Sequence, residues 1–166
     1  MTNLTQMQIP SPVGEMTVIM DGDTVILAEF SDQPERIEKY LAKHHASKTV
    51  TACKTDNVES AFAAYFAGNA TALDEIKINA SGSDFDRTVW AALRTIPAGT
   101  TWSYADLANT VSSHPRAVGG ANGRNPIALI TPCHRVIGKD GSLTGYAGGV
   151  ERKKWLLGIE DTSLNR

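Results

Sequence analysis

Apolar and polar residues alternate over the first third of the chain. Glu15-Met-Thr-Val-Ile-Met20 and Thr24-Val-Ile-Leu-Ala-Glu-Phe30 flank Asp21-Gly-Asp23. Two alternating runs around a short glycine-containing turn predict a β-hairpin. The spacing then changes. Pro34 to His45 places Ile37, Tyr40 and Leu41 one helical turn apart, which predicts a helix. Val58 to Ala67 is alanine-rich and ends at Gly68, a residue suited to a helix C-terminus. Residues 69–83 carry no period and read as a connector. Residues 1–80 are therefore expected to form a small mixed sheet-and-helix domain.

Residues 81–166 read as a mostly helical domain, which makes the chain α+β. Ser83 and Asp86 have capping-box spacing, with Asp in place of the usual Glu, and open a helix carrying Phe85, Val89 and Leu93 on one face. Pro97-Ala-Gly99 ends this segment. Ser103 and Asp106 repeat the signature before a short helix from Tyr104 to Val111, and Ser112-Ser-His-Pro115 forms a turn. Arg116 to Arg124 follows, giving the spacing of a helix-turn-helix. Gly119, Gly120 and Ala121 have no side chain that could read a major groove. Such residues suit a helix packed on a narrow groove, and equally a helix packed on another helix. Glu151 to Leu157 is expected to be a final amphipathic helix.

Composition narrows the class. At 42% hydrophobic and 20% charged, 166 residues can bury a core. No apolar run is long enough to span a membrane, and the first ten residues lack a signal-peptide pattern. Cys53 and Cys133 do not make a disulfide framework, so a cytoplasmic protein with free thiols is expected. The net charge of −2 is unevenly spread: residues 1–80 hold 6 Lys/Arg against 11 Asp/Glu, and residues 81–166 hold 10 against 7. No acid occurs between Asp106 and Asp140, where Arg116, Arg124, Arg135 and Lys139 lie. That window suits a polyanion, and a solvated loop region accounts for it as well.

The candidate chemistry lies in Thr131-Pro-Cys-His-Arg-Val136. A thiolate attacks saturated carbon well, but a thiol needs a base or a positive field to ionise near neutral pH. His134 and Arg135 adjoin Cys133, although adjacency in sequence does not bring side chains together. A buried, inert cysteine is the plain alternative. His44, His45, Cys53 and His114 lack zinc-ligand spacing, so no metal is expected. Trp90, Trp102 and Trp155 read as packing residues ahead of base-stacking platforms.

Pro132-Cys-His-Arg-Val136, with Asn125-Pro126 before it and Gly145-Tyr-Ala-Gly-Gly149 after it, resembles the active-site signature of O6-alkylguanine-DNA alkyltransferases. The likeness extends through Phe85, Trp90, Ile96-Pro-Ala-Gly99, Tyr104, Leu107-Ala108, Arg116 to Asn122, Lys154-Trp-Leu-Leu157 and Glu160. It covers about residues 83–160, and residues 1–80 are similar to the N-terminal domain of stand-alone bacterial members.

The resemblance implies a suicidal transfer of an alkyl group from O6-alkylguanine in double-stranded DNA. Cys133 would be the acceptor, His134 would deprotonate it through a bridging water, and Glu160 would orient His134. Asn125 would bond across the turn carrying the cysteine, and Tyr104 would donate to the departing guanine. Arg116 would fill the space of a flipped-out nucleotide. Arg116, Ala117, Gly119, Gly120, Ala121, Asn122 and Arg124 would form the DNA-binding face, lying on the minor groove. For Arg124 a phosphate is favoured over a protein carboxylate; for Arg135 both stay open. Groups at Tyr104, Val136, Tyr146 and Ala147 would line the base pocket. The resemblance implies no cofactor, no membrane and a monomer. Ala147 and Gly145 stand where some members have Ser and a larger residue, which bears on lesion size. Three rivals are weighed against this reading. A non-catalytic alkylated-DNA-binding relative would carry Trp in place of Cys133. A two-domain adaptive regulator would need an additional N-terminal module with four zinc-binding cysteines, where this chain has only Cys53 before Cys133. A Cys-His hydrolase would turn over esters or amides.

Overall fold

The hairpin forms where the alternation ends at Gly22. In the computed structural model, which describes residues 3–53, 56–143 and 145–161, β2 (Met16–Asp21) pairs antiparallel with β3 (Thr24–Phe30). Gly22 supplies the left-handed φ of +63° that the tight turn needs. Two strands absent from the sequence reading complete the sheet: β1 (Leu4–Ile9) lies antiparallel to β2, and the three-residue β4 (Val50–Ala52) lies parallel to β1. The order is β3-β2-β1-β4. β4 is too short, and too exposed on every residue, to show a period.

The chain divides into two compact units. The first comprises Met1–Ser81 with Pro126–Ala128, and the second Gly82–Asn125 with Leu129–Arg166. In the first, α1 (Pro34–His44) lays Ile37, Tyr40 and Leu41 on Leu4, Ile19, Ile26 and Leu27. Helix α2 (Asp56–Phe66) buries Val58, Phe62 and Tyr65. It stops in a Schellman motif, in which Gly68 at φ +114° donates to the Tyr65 carbonyl and Asn69 to that of Ala64. The connector is less irregular than its sequence: Val25 and Asn79 donate to the Lys77 and Val25 carbonyls, bringing Ile78 alongside Val25. Residues 126–128 pair likewise with Ala28. Both segments cover the outer edge of β3, satisfying backbone groups that an edge strand leaves open.

In the second unit α3 (Asp84–Leu93) buries Asp86, Val89, Trp90, Ala92 and Leu93. Of the expected face of Phe85, Val89 and Leu93, Val89 and Leu93 are buried, but Phe85 is 37% exposed and Asp86 points inward in its place, to an ion pair. The Ser83 capping box is half formed. Ser83 Oγ accepts from the Asp86 amide, but the Asp86 carboxylate goes to Arg124 and not back to Ser83. At α4 (Tyr104–Thr110) the same Ser-x-x-Asp sequence closes the full box. Residues 111–114 join α4 to α5 (Pro115–Gly123). Two short strands, β5 (Trp102–Ser103) and β6 (Val136–Ile137), pair in parallel.

The last helix, α6 (Val150–Glu160), runs a turn beyond its expected end and is not amphipathic in the ordinary sense. Its inner residues, Lys153, Leu156 and Glu160, include two charges. Both charges point inward, on the same side of the helix as the Cys133 turn described next.

Candidate active site

Cys133 begins a single 3-10 turn, Cys133–Arg135, after Pro132. The Val136 amide donates to the Cys133 carbonyl, and the Cys133 amide to that of Thr131. Two asparagine side chains hold the turn from outside: Asn125 Nδ2 donates to the Thr131 carbonyl at 2.8 Å, and Asn122 Nδ2 to the Cys133 carbonyl at 3.4 Å. The thiol-bearing residue is buried, 7% exposed.

The next two residues of the turn, His134 and Arg135, both reach Glu160 of α6. His134 is fully buried, with Nε2 2.7 Å from Glu160 Oε2. Its Nδ1 is buried without a hydrogen-bond partner in the protein. Glu160 accepts from Arg135 as well, through Nε at 2.8 Å and Nη2 at 3.1 Å, and Arg135 Nη1 donates to the Ile96 carbonyl at 2.8 Å. Burial alone would raise the Glu160 pKa, but the adjoining imidazole and guanidinium reverse this and bring it down to about 2. The carboxylate is thus a permanent anion aimed at His134.

Tyr104, the first residue of α4, reaches the same site. Burial chiefly, and the nearness of Cys133, push its hydroxyl pKa upward, while a hydrogen bond with Asn122 opposes the shift. Tyr104 therefore keeps its proton at neutral pH. Its ring lies 3.7 Å from where a Cβ on Gly119 would be, and its hydroxyl 3.2 Å from a Cβ on Gly145. A Cβ on Gly119 would meet the ring only in ordinary van der Waals contact, so packing against Tyr104 does not by itself require glycine there.

The structure adds a residue the sequence reading missed. Lys153 is fully buried on α6; burial pulls its pKa down and the nearby Cys133 pushes it up. The available signal was the spacing Lys153-Leu156-Glu160, which puts a lysine on the helix face that carries Glu160.

The expected DNA-binding residues of α5 differ in exposure. Ala121 and Asn122 are buried and cannot form a surface, because α5 turns them toward its own unit and Asn122 is used at the Cys133 turn. Arg116 and Gly120 are exposed, and Ala117 and Gly119 half-buried. Arg124 is exposed, but its guanidinium chelates Asp86, so the preference for phosphate gives way to a protein carboxylate. Arg135 is buried on Glu160. Val136 is buried with its amide on Cys133. Tyr146 is half-buried and Ala147 exposed, in a turn where the Gly149 amide donates to the Tyr146 carbonyl.

Known proteins share this arrangement of sequence. Residues 84–162 match the family model described as 6-O-methylguanine DNA methyltransferase, DNA binding domain. The methylated-DNA–protein-cysteine methyltransferase of Salmonella typhimurium is 40% identical over 163 residues, covering 95% of each chain. This chain belongs to that methyltransferase family. The crystal structure of Mycobacterium tuberculosis O6-methylguanine methyltransferase superposes with a TM-score of 0.79 at 37% identity, covering 98% of this chain and 94% of that one. The Mycobacterium tuberculosis OGT in complex with DNA superposes at 0.80, also at 37% identity, covering 96% and 93%. The family model begins at the first residue of α3 and extends just past α6, so it spans Tyr104, Asn122, Asn125, Cys133, His134, Arg135, Lys153 and Glu160.

Proposed function

We infer that this protein repairs DNA by moving an alkyl group, typically methyl, from O6-alkylguanine onto Cys133, once per molecule. The observation that carries this reading is the buried Cys133 turn backed by the His134–Glu160–Arg135 chain. That arrangement provides a nucleophile, a base and an orienting anion.

His134 Nδ1, the ring nitrogen not committed to Glu160, takes the thiol proton through a bridging water. The Glu160 anion stabilises the imidazolium that forms. Sulfur attacks the alkyl carbon, the S–C bond forms as the C–O6 bond breaks, and the electron pair stays on guanine. Tyr104 donates a hydrogen bond to the departing base, and the proton held on His134 restores neutral guanine. The buried Lys153 ammonium favours the thiolate. The product is a thioether that nothing in this site would cleave, so the protein is consumed. The DNA itself is the alkyl donor and no cofactor takes part.

The target atom lies inside the base stack, so the nucleotide must be flipped out to reach a buried thiol. Helix α5 is the proposed DNA face, with Arg116, Ala117, Gly119 and Gly120 against the minor groove, which admits small residues and carries little sequence code. Tyr104, Val136, Tyr146 and Ala147 are proposed around the base, with Asn125 and Asn122 holding the turn. No helix among the described residues is long and apolar enough to cross a membrane. A monomer in the cytoplasm suits a scanner of chromosomal DNA.

Intact mass after incubation with an equimolar duplex containing one O6-methylguanine tests the reading. One added methyl, mapped to Cys133 and not increased by further substrate, is expected. Tight binding without a mass change would instead identify a lesion-binding module.

A further inference from the structure

The window from Asp106 to Asp140 is acid-free only along the sequence. In three dimensions α6 brings Glu160 to Arg135, and α3 brings Asp86 to Arg124. The first pair is buried in the active site, but the second is not. Arg124 donates to Asp86 Oδ2 through Nε at 3.0 Å and to Oδ1 through Nη2 at 2.8 Å. The Asp86 side chain is 10% exposed, whereas that of Arg124 is 58% exposed.

Three details show that this pairing is built in. Asp86 forgoes the second half of its capping box, which the same Ser-x-x-Asp sequence completes at Asp106. The Arg124 guanidinium lies across exposed Gly120, where a Cβ would sit 3.1 Å from Nη1. One turn along α3, Trp90 Nε1 donates to the Ala121 carbonyl at 2.9 Å, so α3 grips the C-terminal turn of α5 at two points. A largely exposed ion pair adds little to stability. Its effect lies in where it holds a surface cation.

We propose that Asp86 limits affinity for undamaged DNA by holding the Arg124 guanidinium on the protein, away from the phosphates flanking α5. The proposal rests on the reading that α5 faces DNA. A protein that scans long stretches of normal duplex gains from a restrained electrostatic grip, because each neutralised phosphate strengthens binding to every sequence alike.

Binding of an undamaged duplex, measured against salt for the wild type, Asp86→Asn, Arg124→Met and the double variant, tests this. Asp86→Asn is expected to bind about fivefold tighter near 0.1 M salt, with a log–log salt slope steeper by about 0.9, the value of one phosphate contact. The double variant should return to wild-type affinity, since the gain requires the released guanidinium. Arg124→Lys, which keeps the charge but loses the two-pronged grip, should also tighten binding. Unchanged or weaker binding by Asp86→Asn would overturn the proposal. So would tightening that survives in the double variant, because it would report only a lost negative charge. Failure of the wild type to bind DNA at all would sink the reading of α5 itself, a separate and recognisable outcome.

Discussion

Cys53 is exposed just beyond β4, whereas Cys133 is buried at the head of a turn that carries His134. The two thiols are chemically alike, and their surroundings separate them. Cys133→Ala should abolish methyl uptake while DNA binding persists, as read by mass and by fluorescence anisotropy. Cys53→Ala should leave uptake intact. His134→Gln removes the proposed base and should slow single-turnover transfer by about a hundredfold or more; an unchanged rate would rule out deprotonation by His134. Lys153→Met should slow transfer with little change in DNA affinity, because it takes a buried positive charge from beside the thiol without touching the surface.

Glu160 ties the site to stability. Its pKa falls from an ordinary 4.5 to about 2 on folding. A depressed carboxylate stabilises the fold above its unfolded value and loses that contribution as pH drops through the folded one. The shift corresponds to roughly 3 kcal/mol. Urea unfolding between pH 5 and 2 should therefore show a steep loss in the wild type and a flatter one in Glu160→Gln, starting from a less stable protein at pH 7.

At the scale of elements, two helix starts with the same signature do different work. Ser103→Ala removes the cap of a completed box and should cost about 1 kcal/mol in thermal unfolding. At α3 the more sensitive position is Gly82, where a Cβ would sit 2.5 Å from the Trp90 ring. A rigid indole cannot yield as a flexible chain would. Gly82→Ala should therefore destabilise by about 1–3 kcal/mol and disturb the Trp90–Ala121 hydrogen bond, visible as a shift in tryptophan fluorescence. Helix α6 shows why composition misleads at this scale: Lys153 and Glu160 are charged yet buried, Glu160 against His134 and Arg135 and Lys153 near Cys133.

For the whole molecule, acid should act in two stages. His44 and His45 in the first unit both have pKa values lowered, chiefly by burial, and neither ring nitrogen of His45 has a hydrogen-bond partner. A histidine whose pKa is lowered by the fold makes no difference well above the unfolded value of 6.5 and opposes folding as pH falls through it, because the unfolded chain takes up the proton more readily. Hydrogen exchange from pH 7 to 5 should show protection falling first in residues 3–53, before the Glu160 network in the second unit responds. Equal loss in both units would contradict this.

Local chemistry along the chain was enough to determine the hairpin around Gly22, the helix that Gly68 terminates, the cap of α4 and the Cys133-His134 dipeptide. Each depends on neighbours within a turn or two, where spacing and φ preference act directly. The tertiary structure decided what depends on distant partners. It supplied the short strands β1, β4, β5 and β6, stabilised by ladders and not by propensity. It set Asn122 to donate to the Cys133 carbonyl, and it turned Asp86 of α3 inward where Phe85 was expected. It also brought Asp86 and Glu160 to arginines 38 and 25 residues away. A charge count along a sequence measures composition, whereas an electrostatic field depends on distance, and folding sets the distances.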